Sequence, residues 1–593
     1  MKFKYCLCLI VFLHSLLVLS QNEQLAQYYF DKGEFEKAQL SYEALSKDMP
    51  QNATYFLKTI ACLQQLEKYD EAQKRIESKL DGHPIAVLWI ELGYNYQRQK
   101  NEEQAQKYYQ KAMAMIQKNP DEVYGVASCF EQKSLVNEAL QAYQLGVSLN
   151  PNFNFNFQMA VLYGQKGQSD LMVEKLLDES AANPGMLPVI QNALSRYLAE
   201  DASGHFADVL KKALILRTQK AQDIFWNQFL SWHFVQQKDF GKAFIQEKAI
   251  YKRSPDMFSN LINLAQMAAN EGEIATANEV YQFVLDNTND PYLKVQAYYF
   301  IEKIKIQKAV ATDYAAIDVA LEGSIQQYGI NQITFDLQKL QAHFVAFYLK
   351  NPEKAQMILK RALELPLSYT QMGEAKMELA DILLYQEKFN QALIYYSQIE
   401  NDLKNDVIGQ EASLKIAKTS YFQTDFEWAN KQLSVLKTAS TQLIANDAID
   451  LYLLISDNTV SDSTQTALKK LAHADFLVYQ NKNEAALEAF KKILTEHATD
   501  EIVPVTLYRM GKIYETMEQW DMALAQYQQI IDRFQDGIYA DEAYYFSGNI
   551  WSQKQDVAKA KACYEAVIMH HEDSIYYTDA QRKYRQLRGD KAL

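Results

Sequence analysis

Glycine and proline are scarce in this chain, at 19 and 11 of 593 residues. Because these two residues interrupt helices most strongly, their scarcity removes the usual stops from long helical segments. Alanine, glutamine, glutamate, lysine and leucine, which favour helix, are plentiful by contrast. Apolar residues make up 48% of the sequence, which excludes wholesale disorder and allows a large core. The composition therefore predicts a mostly helical protein.

Cysteine is also rare, with five in the whole chain. Cys6 and Cys8 lie close to the N-terminus, which leaves Cys62, Cys129 and Cys563 for the rest of the sequence. None of these forms a CxxC pair, and their wide separation excludes a disulfide framework. We expect three buried thiols, although one bridge in an oxidising compartment is also compatible with the sequence.

Positive charge is in deficit, because 60 Lys and Arg residues face 74 Asp and Glu residues, a net charge of −14. A protein that binds nucleic acid needs a basic face for the phosphates, so the balance excludes nucleic acid as a partner. We attribute the acidity mainly to solubility.

Long apolar runs are confined to the N-terminus, where residues 5–19 follow Lys2 and Lys4. This run is shorter than the ~20 residues that span a bilayer comfortably. Val18 and Ser20 fit the small-residue rule of a signal peptidase site. We predict that residues 1–20 are a cleaved signal peptide, so that the mature chain is exported by the secretory pathway without an integral membrane span. A retained N-terminal anchor is the alternative.

The segment WIELGYNYQRQKNEEQAQKYYQKA, residues 89–112, has the residue spacing of two amphipathic helices. Trp89 and Tyr96 fall on one face of a first amphipathic helix, and a second helix follows after a polar turn. Two antiparallel helices would bring Gly93 opposite Ala105. Small side chains at these positions would let the two backbones approach closely while aromatic residues interlock around them.

The pattern resembles the tetratricopeptide repeat, a 34-residue helix–turn–helix unit with the signature W-x2-L-G-x2-Y. Residues aligned with Ala105 recur at steps of 33 to 39 residues through nearly all of the chain, with one longer interruption between Ala429 and Ala486. They are Ala38, Ala72, Ala105, Ala139, Met172, Ala207, Ala243, Ala277, Ala316, Ala355, Ala392, Ala429, Ala486, Ala523 and Ala560. The resemblance implies an all-α, right-handed α-solenoid of roughly fifteen units, whose first helices line a concave groove.

Changes in the repeat length predict four parts after the signal peptide. We expect an N-terminal array over residues 21–300 and a degenerate array with a 37-residue step over residues 301–440. An irregular helical joint should follow over residues 441–466, where the period breaks and the polar segment DNTVSD connects two helices. A C-terminal array over residues 467–593 should end in a basic capping helix.

The resemblance also implies which side chains face the groove, because particular first-helix positions lie on the concave side. In the third and fourth units and in the last two, these positions hold Ile90, Tyr94, Gln97, Arg98, Tyr124, Ser128, Glu131, Gln132, Tyr508, Lys512, Glu515, Tyr545, Asn549 and Gln553. Such a mixture suits polar contacts around aromatic anchors, and it also suits an ordinary solvated face. The carboxylate clamp of chaperone-binding relatives is not matched, since Glu23 and Gln27 stand where it needs Lys and Asn.

The last units carry a further resemblance in their 37-residue step and the ending YADEAYY. These features are similar to repeats of bacterial envelope proteins, such as the periplasmic coordinator of the Tol–Pal system and the repeat lipoprotein of the outer-membrane barrel assembly machine. The resemblance implies a periplasmic or outer-membrane-associated scaffold that binds protein or peptide partners in its groove.

Sequence motifs for chemistry do not add to this interpretation. The chain has no Gly-rich phosphate loop and no HExxH motif, and the run His570 to Asp573 reads as a solvated helix end. We therefore predict no catalytic residue, metal or cofactor, and a protein that is not an enzyme. Two alternatives stay open: a non-catalytic or diverged helical superstructure of a cell-wall-processing enzyme, and a rigid spacer between envelope components.

Overall fold

The computed structural model describes residues 22–82, 85–201, 204–221, 223–255, 258–437, 442–460, 464–498 and 501–589. Within these ranges the chain forms 32 α-helices and two short 3-10 helices, without a β-strand. The prediction of an all-α protein is confirmed. The predicted signal peptide, residues 1–20, lies outside the described residues.

The chain divides into two compact units, one up to Ala213 and the other from Leu214 onward, with the division inside a helix. Up to and including that helix, the elements are α1 (22–31), α2 (Phe35–Asp48), α3 (Ala53–Gln65), α4 (Tyr69–Gly82), α5 (Ala86–Arg98), α6 (Glu102–Lys118), α7 (Val123–Gln132), α8 (Val136–Leu149), α9 (Asn156–Gln165), α10 (Ser169–Ala182), α11 (Leu187–Glu200) and α12 (His205–Ala221), with 3-10 turns at Pro120–Glu122 and Pro184–Met186.

The second unit holds the remaining twenty helices that the structure describes. They are α13 (Ile224–Gln236), α14 (Phe240–Arg253), α15 (Ser259–Asn270), α16 (Ile274–Asn287), α17 (Pro291–Gln307), α18 (Tyr314–Tyr328), α19 (Phe335–Phe347), α20 (Pro352–Ala362), α21 (Tyr369–Tyr385), α22 (Phe389–Asp402), α23 (Val407–Phe422), α24 (Phe426–Leu436), α25 (Gln442–Val460), α26 (Thr466–Tyr479), α27 (Asn483–Glu496), α28 (Ile502–Thr516), α29 (Trp520–Arg533), α30 (Ala540–Gln553), α31 (Val557–His570) and α32 (Tyr577–Arg588).

Consecutive helices pair as the repeat pattern predicts. Thirty of the described helices form fifteen helix–turn–helix pairs, with α1 and α2 joined by the Tyr42–Gln27 hydrogen bond and α11 and α12 by the Tyr197–Phe206 ring contact, and only α25 and α32 fall outside this pairing. In the second unit successive first helices also pack against one another, in the series α15, α17, α19, α21, α23, α26 and α28. A pair cannot bury its apolar face alone, so each depends on its neighbours.

The small residues of the repeat make room for an aromatic ring from the partner helix. A Cβ added to Gly93 would lie 2.5 Å from Cε1 of Tyr109 and 3.1 Å from the carbonyl oxygen of Ala105. Gly511 meets the ring of Tyr527 in the same way. The predicted approach of Gly93 to Ala105 is therefore confirmed, and the Tyr109 ring is what fills the space between the helices.

Two of the weaker repeat members are wrong by one residue. Ala207 is partly exposed and Ala316 is exposed, whereas the adjacent Phe206 and Ile317 are 7% and 4% exposed. The core position in these units holds a larger apolar side chain in place of alanine, so alignment on alanine selected the neighbouring residue.

Residues 457–460 of the polar segment DNTVSD, which the sequence predicted to connect two helices, are helical because α25 continues to Val460, and the rest of the segment lies outside the described residues. The Asn458 side-chain amide donates to the Leu454 carbonyl, and the Thr459 hydroxyl donates to the Ser456 carbonyl, so these polar residues bond back to their own helix.

The compact units divide at Ala213, whereas repeat length suggested boundaries near residues 300 and 440. Those repeat boundaries stay predictions.

Cys62 and Cys129 are buried, Cys563 is partly buried, and all three are free thiols. Burial raises the pKa of Cys62 to about 11 and that of Cys129 to about 12, so both thiols stay protonated at neutral pH. Across the described ranges, no helix combines the length and apolar character needed to cross a membrane.

Replacing Gly93 with alanine should destabilise the protein by about 1–3 kcal/mol, because the new methyl group overlaps the Tyr109 ring in a packed core. The midpoint of urea denaturation, followed by circular dichroism, measures this loss.

Gly125 supplies the matched control, since it also lies within a helix but has nothing within 4 Å of an added Cβ. Gly125→Ala should stabilise the protein by about 0.5–1 kcal/mol through helix propensity alone. A similar destabilisation by both substitutions would contradict the proposed role of the Gly93–Tyr109 contact.

Candidate binding groove

The second unit contains two adjoining cavities that are lined mainly by first helices. Cavity A, about 570 Å³, is lined by Asp381, Leu384, Tyr396, Val407, Glu411, Leu414, Lys415, Lys418, Phe422, Ile444, Asp447 and Tyr479. Cavity B, about 730 Å³, is lined by Lys418, Tyr421, Phe422, Asp447, Asp450, Leu451, Leu453, Leu454, Asp475, Val478, Tyr479, Tyr508, Arg509, Ile538, Tyr539, Glu542, Ile575 and Tyr576. They share Lys418, Phe422, Asp447 and Tyr479, and together we call them the binding groove.

Helix α25 forms one wall of this groove because the first helix of the next repeat, α26, packs on α23 and not on α25 alone. Helix α26 packs directly on α23, with the Phe422 and Phe476 rings 5.2 Å apart, and so takes the next place in the row of first helices. Helix α25 is left to pack against α23, α24 and α26. Its residues Ile444, Asp447 and Leu451 recur at helical spacing and line the groove.

Cavity A contains an ion pair between Lys415 and Asp381. The Lys415 ammonium donates to both carboxylate oxygens of Asp381, at 2.8 and 2.5 Å, and the Tyr396 hydroxyl donates to the same carboxylate at 2.5 Å. Tyr479 donates from its hydroxyl to the Asp381 carbonyl at 3.0 Å. Burial raises the pKa of Asp381 despite the opposing effect of Lys415. This network joins α21, α22, α23 and α26 behind an apolar lining.

Cavity B contains a second buried carboxylate with partners of its own. Asp475, whose side chain is 13% exposed, lies 3.5 Å from Nε of Arg509 and accepts a 3.0 Å hydrogen bond from the Tyr421 hydroxyl. Burial raises the pKa of Asp475, and both Arg509 and Tyr421 oppose that rise. These three residues come from α26, α28 and α23 and hold the first helices together at the back of the cavity.

Two further carboxyl groups, those of Glu542 and Asp450, also line cavity B. Burial and the adjacent Asp541 raise the pKa of Glu542 to about 9, and its Oε2 atom is enclosed without a hydrogen-bond partner. Burial and the nearby Asp447 raise the pKa of Asp450, and Arg509 opposes that rise. No group of three or more His, Cys, Asp or Glu side chains is placed to hold a metal ion in the part of the chain that the structure describes.

Aromatic and aliphatic side chains complete cavity B. The Tyr508 and Tyr539 rings are stacked with centroids 5.2 Å apart, and Tyr576 lines the same space. Ile538 and Ile575 at its edge are 71% and 80% exposed. Large apolar side chains this exposed, beside a concave surface, are typical of a binding site.

The predicted groove residues of the last units form a chain of contacts across α28, α30 and α32. Tyr508 lines cavity B. The Lys512 ammonium lies 3.7 Å from the centre of the Phe546 ring, and Asn549 accepts hydrogen bonds from Tyr564 and Lys583. Tyr545 is a correction: it is 9% exposed, and its hydroxyl is already bonded to Asp579 and Lys583. It is part of the packing beneath the surface.

The predicted groove residues of the third and fourth repeats, in the first compact unit, also include both buried and exposed side chains. Ile90 is a second correction, since it is fully buried where α5 packs against α3 and α7. Tyr94 is half-buried under the Lys133 ammonium, 4.8 Å from its ring centre. Arg98, Tyr124 and Gln132 are exposed and stay candidates for partner contact.

Several polar groove positions have a structural task. Gln97, Glu131, Glu515 and Asn549 each accept a hydrogen bond from the buried tyrosine of their own helix pair, which is Tyr109, Tyr143, Tyr527 or Tyr564. A buried hydroxyl needs such a partner. These side chains therefore fix the packing tyrosines, and only their remaining hydrogen-bonding capacity is available to a ligand.

Repeat-based reasoning missed most of the binding groove, including Lys418, Asp447, Tyr479, Arg509 and Glu542. The repeat family assigns groove positions to first helices of regular pairs and has no place for an extra helix such as α25. The available signal was the broken period combined with the apolar spacing between residues 444 and 454.

Comparison with protein-family models gives two matches. Residues 86–119, which cover α5 and α6, match the tetratricopeptide repeat, and residues 455–588 match a tetratricopeptide repeat-like domain. The chain therefore contains tetratricopeptide repeats, a class of helical repeat that binds proteins on extended surfaces. A search of curated protein sequences found no match.

Solved structures with low sequence identity are also similar. A chain in the structure of Naa15/Naa10 bound to HypK-THB is 12% identical, with 96% of each chain covered and a TM-score of 0.29. Yeast Tom70 is 14% identical over 80% of this chain and 97% of its own, with a TM-score of 0.28. A tetratricopeptide repeat protein from Parabacteroides merdae is 13% identical over 51% of this chain and 99% of its own, with a TM-score of 0.22. Scores this low support no argument about function.

Glu542 gives the groove a pH-dependent effect on stability. Its pKa of about 9 in the folded protein exceeds the ordinary 4.5, so its stabilising contribution is complete below pH 4.5 and is lost as the pH rises through 9. Across this window wild type should lose about 1 kcal/mol per pH unit relative to Glu542→Gln. Urea denaturation of both proteins from pH 5 to 9 measures the difference, and parallel profiles would show that Glu542 ionises normally.

Proposed function

We propose that this chain, built from tetratricopeptide repeats, is an exported scaffold of the bacterial cell envelope that binds partner proteins or peptides along its first helices. The observation that carries the proposal is the binding groove, whose two cavities of about 570 and 730 Å³ have the size of ligand sites. Their walls combine aliphatic, aromatic and charged groups, which suits a polypeptide.

Hydrophobic contact supplies the first contribution to binding. Val407 at cavity A is 52% exposed, and Ile538 and Ile575 at cavity B are more exposed still. Covering an aliphatic side chain completely contributes about 1.5–3 kcal/mol. The charged groups inside the cavities would then select among partners, because leaving a buried charge unmatched is costly.

Two sequence features support the envelope location. Residues 1–20 have the pattern of a signal peptide, and the C-terminal units resemble repeats of periplasmic and outer-membrane-associated scaffolds. We extend the proposal to the periplasmic space or the inner surface of the outer membrane.

Export is tested by the N-terminus of the mature protein. Mass spectrometry of a C-terminally tagged protein, purified from its own host, should find a chain that begins at Gln21. A chain that keeps residues 1–20 would contradict cleavage and favour the anchor.

Partner binding is tested by placing a photo-crosslinking amino acid at Val407 or Ile538, in the groove. The matched controls are Met357 and Met569, which are both 66% exposed on second helices outside the cavities. After irradiation in cells, we expect the two groove positions to give the same partner adducts and the controls to give none.

A rigid spacer would behave differently, since its partners would contact only its ends. Equal adducts from all four positions, or none from the groove positions, would rule out the groove as the partner-binding surface.

A further inference from the structure

We propose that cavity B receives a Lys or Arg side chain from the partner, inserted between Asp450 and Glu542, with apolar neighbours of that residue packed on Ile538 and Ile575. This inference rests on the proposed function and specifies the chemistry of the partner segment at one place in the groove.

The charge balance of cavity B favours a cation. Four carboxyl groups and two cationic groups line it, and each cation already lies beside an acid. Lys418 is 3.4 Å from Asp447, and Arg509 is 3.5 Å from Asp475. Asp450 lies within the electrostatic influence of Arg509, which acts to lower its pKa, whereas the groups that act on the Glu542 carboxyl are acidic. Cavity B thus has two more acidic groups than cationic ones, and Glu542 in particular has no cationic partner among the described residues.

The geometry around Glu542 leaves hydrogen-bonding capacity unused. Its Oε2 atom is enclosed by protein and accepts no hydrogen bond. An enclosed acceptor without a donor costs about 1–3 kcal/mol. An ammonium or guanidinium group would supply the missing donor, and such charge-assisted hydrogen bonds are stronger than neutral ones.

The titration behaviour supports the same conclusion. Burial and the neighbouring Asp447 raise the pKa of Asp450, with Arg509 opposing that rise, and burial and the neighbouring Asp541 raise the pKa of Glu542. A positive charge between the two carboxyl groups would offset both effects and favour their ionised forms. Binding of a cationic side chain should therefore release a proton from Glu542.

The walls fit a long side chain better than a small ion. Tyr508, Tyr539 and Tyr576 line cavity B with aromatic rings, whose faces attract cations, and its volume of about 730 Å³ greatly exceeds that of a metal ion. The exposed Ile538 and Ile575 at the edge provide contact for apolar residues on either side of the inserted one. An acidic partner segment would add negative charge to an already acidic cavity.

Phage display with random nine-residue peptides tests the inference on the full mature chain. We expect wild type to enrich peptides with Lys or Arg beside apolar residues. Calorimetry with a selected peptide should show at least tenfold weaker binding to the Asp450→Asn/Glu542→Gln variant. Replacing the basic residue of the peptide with uncharged norleucine should weaken binding to wild type by a similar factor.

A matched variant controls for the loss of two carboxylates. Glu484 and Glu488 are exposed on α27, outside both cavities, and Glu484→Gln/Glu488→Gln should bind the peptide as wild type does. Circular dichroism should show that both variants are folded, since each removes charge without changing size. Calorimetry of wild type at pH 7 in phosphate and in Tris buffer should also reveal proton release on binding.

The outcomes separate this inference from the proposed function. If wild type enriches no peptide, peptide binding in the groove is contradicted and both proposals fail. If the enriched peptides lack basic residues, carry acidic ones, or bind the Asp450→Asn/Glu542→Gln variant as tightly as wild type, the cation site is overturned while the scaffold function stands.

Discussion

Helix packing in the repeats that contain Gly93, Gly511 and Gly548 depends on the contact between a second-helix tyrosine ring and the small residue on the first helix. At Gly93 and Tyr109 the ring occupies the space that a side chain would otherwise fill, so the two helices can pack closely. The Tyr109 hydroxyl also donates a hydrogen bond to the Gln97 side chain on the first helix. Apolar packing and a satisfied polar group are thereby combined in one side chain, and repetition of this unit builds the array.

From α15 to α28 the first helices pack against one another in an unbroken row, and this explains why helix α25 forms a wall of the groove. Direct packing of α26 on α23 satisfies the nearest-neighbour contact that every pair requires. Helix α25 cannot occupy the same place, so it lies beside the row and encloses space that a regular array would leave open. Helix α25, which interrupts the repeat, therefore creates a concave surface of the kind that binds ligands, while the helix pairs on either side of it remain stacked.

Cavity B shows a conflict between stability and binding. Asp475 has Arg509 and Tyr421 as partners, whereas Glu542 is held where its ionised form is disfavoured. A purely structural site would be expected to avoid an enclosed acceptor without a donor, since removing it would increase stability. Violations of local polar satisfaction are commonest at functional sites, where a ligand completes the interactions.

The sequence alone determined the all-α class, the pairing of helices and the packing role of residues such as Gly93 and Tyr109. These features depend on contacts between residues fewer than 40 positions apart, which recur at a fixed period and leave a readable pattern. Burial of Ile90 and Tyr545, by contrast, depends on how neighbouring pairs stack, and the pattern misplaced both on the surface. Only the tertiary structure brought Asp381, Tyr479 and Glu542 around one groove, because helices far apart in sequence supply its walls and no periodic signal links them.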